Sequence, residues 1–253
     1  MIIGVVDLLI ILFVLLGGVV GYKNGFITEG IHFIGIILIS VIAFILKDSL
    51  MVIMYENLPF FNFFGIIKGI SAINVLFYQL LSFLIIFGAL FFLLRVLLVI
   101  TGFVEWLVKL TVFLKISSKI LGVLVGILEF YVYVFIVLYI LNMPIFNLHY
   151  VADSKYGNTV LQETPILSGL VDNTVDAYND VWVIIRNRDK NSDKEVNTLV
   201  LATLLDHNLL TIDSARKLVE ANKIDITDDS MLDNYSDNNN FYSYVRDKIP
   251  VSN

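Results

Sequence analysis

Residues 75–100 read VLFYQLLSFLIIFGALFFLLRVLLVI, and Arg95 is the single charge among them. A bilayer hydrocarbon core about 30 Å thick is crossed by about 20 apolar helical residues. A helix buried in a soluble core would carry a polar stripe with a period of 3.6 residues; this stretch is apolar all round. Three more runs of the same kind lie at residues 2–20, 27–46 and 120–141. Only 13 of the 40 charged residues fall within residues 1–142. Hydrophobic residues make up 58% of the chain and mean hydropathy is +0.83, beyond the usual share of a soluble domain. Pro59, Pro144, Pro165 and Pro250 all stand outside the runs, where a missing backbone donor is tolerated. The fold class is therefore all-α: a polytopic membrane protein with four transmembrane helices, interfacial amphipathic helices and a small helical C-terminal extension.

The chain divides near Asn142, Met143 and Pro144. Residues 1–145 form the four-helix membrane module, 146–225 a polar helical extension, and 226–253 an acidic, largely disordered tail. The charge divides with them: residues 1–142 sum to 7 − 6 = +1 and residues 143–253 to 10 − 17 = −7. The first run lacks a basic start and a small-residue cleavage site and carries Asp7, so it reads as a span rather than a cleaved signal. Without a large basic patch, a nucleic-acid partner is not expected. Without cysteine there is no disulfide, thiol nucleophile or cysteine-ligated metal.

Lysine and arginine in short loops set orientation. Lys23 lies in the first loop, and Lys109, Lys115 and Lys119 in the third, with Arg95 just before it. The second loop offers Lys47 and Lys68 beside Asp48 and Glu56. The first and third loops are therefore read as cytoplasmic and both termini as extracytoplasmic. Residues 102–118 keep helical periodicity through Phe103, Trp106, Leu107 and Leu110, with Glu105 and Lys109 four apart, and read as an amphipathic helix on the inner leaflet. Residues 48–74 cluster Phe60, Phe61, Phe63 and Phe64 around Pro59 and Asn62. A plain interfacial hairpin is the leading reading there, and a re-entrant loop the alternative.

Two motifs carry a family resemblance. Asp7 early in the first helix precedes Gly21, Tyr22, Lys23, Asn24, Gly25 and Phe26 at its end, and Glu29 opens the second helix. Lys119, Ile120, Leu121, Gly122, Val123, Leu124, Val125 and Gly126 then open the fourth. Together they resemble the signature of the CvpA (colicin V production protein) family over about residues 1–145. That resemblance implies a multi-pass bacterial inner-membrane protein without known enzymatic chemistry, linked to toxin production or export and to envelope maintenance. It further implies that an extracytoplasmic domain follows similar helices in some members.

The glycines have a physical reading too. Gly17, Gly21 and Gly25 are spaced by four, as are Gly122 and Gly126. Small residues so spaced let membrane helices approach closely, either within one molecule or between copies in a homo-oligomer. Charges inside the spans need partners or water. Glu129 lies near mid-span and Arg95 near the inner end of the third helix; at 1.5 Å per residue their depths differ by roughly 7 Å. A Glu129–Arg95 pair satisfies both; alternatively Arg95 snorkels to the interface and Glu129 is protonated. Asp7 lies close enough to the outer surface to reach water. Glu29 sits at a helix N-terminus that favours a carboxylate, and Thr28 before it is a candidate cap. His32 reads as a polar packing residue. With His32, His149 and His207 scattered and no cysteine, no metal site or cofactor is expected.

No GxSxG, HExxH, P-loop or dinucleotide fingerprint occurs. In the extension, Asn158 or Thr159 is the expected cap of a short helix before Pro165, followed by a helix to about Arg186, an amphipathic one through Val196 and Leu204, and another opened by Thr211 or Asp213. Residues 224–240 hold Asp225, Asp228, Asp229, Asp233 and Asp237; they lack the glycine and closing glutamate of a calcium loop and read as disordered. The expected partners are the lipid bilayer and another membrane or envelope protein. The leading function is a non-enzymatic scaffold; the alternative is a proton or small-solute transporter using Glu129.

Overall fold

A computed structural model describes residues 4–101, 115–146, 154–228 and 232–233. Among these there are eight α-helices and no strand. Helices α1 (Val5–Asn24), α2 (Phe26–Asn57), α3 (Ile73–Thr101) and α4 (Lys115–Leu141) are long and apolar enough to cross a membrane. Helices α5 (Lys155–Glu163), α6 (Ser168–Arg186), α7 (Asp193–Asp206) and α8 (Ile212–Glu220) follow. The amphipathic segment expected at 102–118 lies mostly outside the described residues; from Lys115 the chain is already α4.

Helix α1 is arranged for lipid. Leu8, Leu12, Leu15, Leu16 and Val19 are exposed, whereas Gly17, Gly18 and Gly21 are buried. Large apolar side chains face outward and small residues face the neighbouring helix, the pattern of membrane packing.

The chain forms two compact units interleaved in sequence: residues 1–46, 83–142 and 148–170, and residues 47–82, 143–147 and 171–253. Interleaving follows from the length of α2. Its 32 residues extend roughly 48 Å, well beyond the bilayer core, and its last turns belong to the second unit.

In the first unit α1 packs on α4, and α5 packs on both. Phe44 stacks on Phe83 with ring centroids 4.4 Å apart, and Tyr139 meets the two rings edge-on at 5.1 and 5.4 Å. Helix α5 opens at Lys155, not beyond Asn158 or Thr159: Ser154 Oγ accepts the Gly157 N–H at 2.9 Å and caps it. Thr164 Oγ1, just past its end, donates to the Tyr131 hydroxyl of α4 at 3.1 Å.

In the second unit α7 is central. Residues 196–205 are all buried, so the helix is enclosed rather than amphipathic. A capping box starts it: Ser192 Oγ accepts the Glu195 N–H at 3.3 Å, and the Ser192 N–H donates to Glu195 Oε2 at 2.6 Å. Thr211 caps α8. The loop from α2 to α3 is an integral part of this unit. Asn197 Oδ1 accepts the Ala72 N–H at 3.0 Å, and its amide donates to Gly69 O at 3.2 Å. Asn74 Oδ1 accepts the Phe61 N–H at 2.8 Å. Lys223 Nζ donates to the carbonyls of Tyr55, Glu56 and Leu58 at 2.8, 2.6 and 3.1 Å, so a cation closes the negative end of α2. The described part of the segment expected to be disordered is packed instead. Ile226 and Leu232 are buried, Asp225 pairs with Lys194 at 3.0 Å, and Asp233 pairs with Arg216 at 2.9 Å.

Candidate functional site in the membrane bundle

The acidic residues singled out in the spans fall into two places in the first unit. The first is Asp7, which is buried rather than exposed to water. Its Oδ1 accepts the Ser154 hydroxyl at 2.5 Å and the Tyr156 N–H at 3.1 Å, while Oδ2 accepts the Gly4 N–H at 3.1 Å. Tyr156 lies in the first turn of α5, so the carboxylate meets the positive end of that helix. Asp7 therefore ties the start of α1 to α5.

The second place gathers Glu29 and His32 of α2 with Glu129 of α4. One ligand atom of each lies within 4.8 Å of the others. Glu29 is 1% and Glu129 4% exposed; His32 is half-buried. Glu29 and His32 stand three apart in the first two turns of α2, so they share a face. Thr28 lies inside that first turn and is not the residue before the helix. Asn24, the last residue of α1, donates its amide to Glu29 Oε1 at 2.6 Å. Tyr133, one turn after Glu129, donates its hydroxyl to Glu129 Oε1 at 3.0 Å. The Oε2 atoms of both glutamates are buried and have no hydrogen-bond partner among the described residues.

Arg95 does not form the anticipated ion pair. It is exposed, and its guanidinium lies over the Phe91 ring, 5.2 Å from the centroid. Tyr133, not Arg95, donates a hydrogen bond to Glu129. Sequence reasoning named both carboxylates but kept them apart and read His32 as packing. The signal for bringing them together was the Glu-x-x-His spacing of Glu29 and His32, the pattern by which a helix presents a carboxylate and an imidazole to one bundle site.

The glycine ladders of α1 and α4 face each other within one molecule. A Cβ on Gly17 would run into the Gly126 carbonyl, and one on Gly21 into the Gly122 carbonyl. A Cβ on Gly122 would stand 3.0 Å from the Gly25 Cα. Gly25 itself has φ +81°, a conformation suited to glycine, and its N–H closes α1 on Gly21 O at 2.9 Å.

In the second unit a cavity of about 540 Å³ is lined by Phe60, Phe61, Asn197, Lys223 and Asp225, among others. Phe61 and Phe64 are exposed.

Four apolar spans with a buried polar cluster between them define a polytopic helical membrane protein. The family model for colicin V production protein matches residues 6–165, so the chain belongs to that family. The match runs beyond the 145 residues over which the motifs are recognisable and takes in α5, the helix that Asp7 holds. A similar protein is the uncharacterized transmembrane protein YshB of Bacillus subtilis (strain 168), 26% identical over 183 residues, covering 65% of this chain and 94% of the relative. No solved structure matches. Proteins of this family and fold are not known as enzymes.

Proposed function

We propose that this protein is a non-enzymatic accessory module of the bacterial plasma membrane, serving toxin production or export and envelope maintenance by holding another membrane or envelope protein. The observation that carries this reading is the build of the second unit. Lys223 and Asn197 fasten the extension onto the end of α2 and the loop that follows, which makes the second unit a firm platform. The exposed Phe61, Phe64 and Val183 of that unit suit a partner surface. The family's name, colicin V production protein, supports the link to toxin production.

A photo-crosslinking residue at Val183, in the full chain in native membranes, tests this. A discrete adduct with one membrane or envelope protein is expected. A smear indistinguishable from that of a lipid-facing control at Leu16 would overturn the scaffold reading.

The buried carboxylates favour a second reading, a proton or small-solute transporter. The continuous helices α1 to α4 weigh against it, because transporter sites of this kind are built on broken ones. Reconstituted protein that carries a flux abolished by Glu129→Gln would put that reading first.

A further inference from the structure

We propose that Glu29, His32 and Glu129 form a binding site for a divalent transition-metal ion inside the membrane bundle. Three features of the geometry converge on it. The ligand atoms of the three residues lie within 4.8 Å of one another. Bonds of about 2.0–2.2 Å would draw them to roughly 3–3.5 Å, a closure of up to roughly 1.3–1.8 Å. The donors also come from two helices in a recognisable pattern. Glu29 and His32 are an i, i+3 pair on α2, and Glu129 completes the set from α4, as in carboxylate-rich bundle metal sites.

The state of the carboxylates is the decisive feature. Each has one oxygen fixed by a donor, Asn24 for Glu29 and Tyr133 for Glu129. Each has its other oxygen buried and without a hydrogen-bond partner among the described residues. Outer donors that hold one carboxylate oxygen and leave the other for a cation are the usual second layer of a metal site. Two ionised carboxylates and a neutral imidazole sum to −2, which a divalent ion neutralises. Isolated charge in a low-dielectric interior is otherwise expensive.

The donor set selects the class of ion. An imidazole with two carboxylates and no thiolate suits Zn²⁺, Mn²⁺ or Fe²⁺, with Co²⁺ as a spectroscopic stand-in. Mg²⁺ and Ca²⁺ take oxygen donors almost exclusively. Three protein ligands leave positions for water or a further group.

The competing occupant is a proton shared by the two carboxyls, which would not involve His32. The experiment separates the two. The full chain is purified in mild detergent through a tag that contains no histidine, stripped with EDTA and titrated with Co²⁺. One Co²⁺ per chain is expected, with visible absorption bands that excess Mg²⁺ does not remove. Tyr133→Phe is expected to weaken the affinity about tenfold by loosening Glu129. His32→Gln is expected to weaken it at least about 100-fold while the elution profile and helical content stay as in the parent. Because His32 is only half-buried, this variant tests the site even if Glu129→Gln does not fold. Folded parent protein that shows no saturable Co²⁺ binding would overturn the proposal. So would His32→Gln protein that binds Co²⁺ as the parent does.

Discussion

A carboxylate near the end of a membrane helix escapes lipid either by reaching water or by accepting enough hydrogen bonds in place. Asp7 does the second, and the partner it needs, Ser154, is 147 residues away. The sequence exposed the acid but not its destination, because no local pattern encodes so remote a contact. Asp7→Asn keeps the shape but turns one acceptor oxygen into a donor. It is expected to leave a buried donor of α5 or the Gly4 N–H unsatisfied, at about 1–3 kcal/mol. Unfolding midpoints in detergent measure this, and Ser154→Ala added to Asp7→Asn should cost less than the sum, since both break one network. His207 offers a second test through pH. Its Nε2 lies 2.8 Å from Asp180 Oδ2, and that hydrogen bond raises its pKa above the ordinary 6.5 against the opposing effect of burial. The folded protein then holds the proton more tightly than the unfolded chain does. The stabilisation is complete below the ordinary value and disappears as pH rises through the folded one. The stability difference between the parent and His207→Gln, about 0.5 kcal/mol for such a partly exposed pair, is expected at pH 6. It should shrink as pH rises above the ordinary histidine value. A difference that grew with pH would contradict the assignment.

At the scale of elements, the spans were legible because lipid imposes both their length and their apolar surface. The extension was harder. Asn197, Thr198 and Thr203 give α7 the look of a helix with a wet face, yet all three are buried. Each has a partner that only the fold supplies or that hides within the helix. Asn197 holds the loop at Gly69 and Ala72, Thr198 bonds Lys194 O at 2.8 Å, and Thr203 bonds Leu199 O at 2.9 Å. A satisfied polar side chain in a core is indistinguishable by pattern from an exposed one. The glycine ladders were legible as close-contact surfaces but not as to their partner. They face each other within one molecule. Gly126→Leu should therefore force α1 and α4 apart and destabilise the bundle by at least ~1–3 kcal/mol. Gly88→Leu on α3 is the matched control, since nothing lies within 4 Å of a Cβ there. Equal melting of the two variants in detergent would remove the ladder's assigned role.

For the whole molecule, the division of the chain was not readable as a single cut. A helix of 32 residues outruns the membrane, and the surplus of α2 joins residues far along the chain in the second unit. Hydropathy marks where a span begins but is blind to a helix that simply continues past it, as α2 does through Lys47 and Asp48. Those two also bear on orientation. Lys47 is buried and paired with Asp48 at 2.7 Å, so it contributes little free positive charge to the second loop. Lys23, in the last turn of α1 at the same end as the first loop, is exposed. From this imbalance we propose that the first and third loops face the cytoplasm and both termini lie outside. The absence of native cysteine allows single-cysteine mapping without background. Asp189→Cys, at an exposed position of the second unit, is expected to react with a membrane-impermeant maleimide in intact cells. Lys23→Cys is expected to react only after the cells are opened. The reverse pattern would invert the topology and move the platform formed by the extension, along with the partner it is proposed to hold, to the cytoplasmic side.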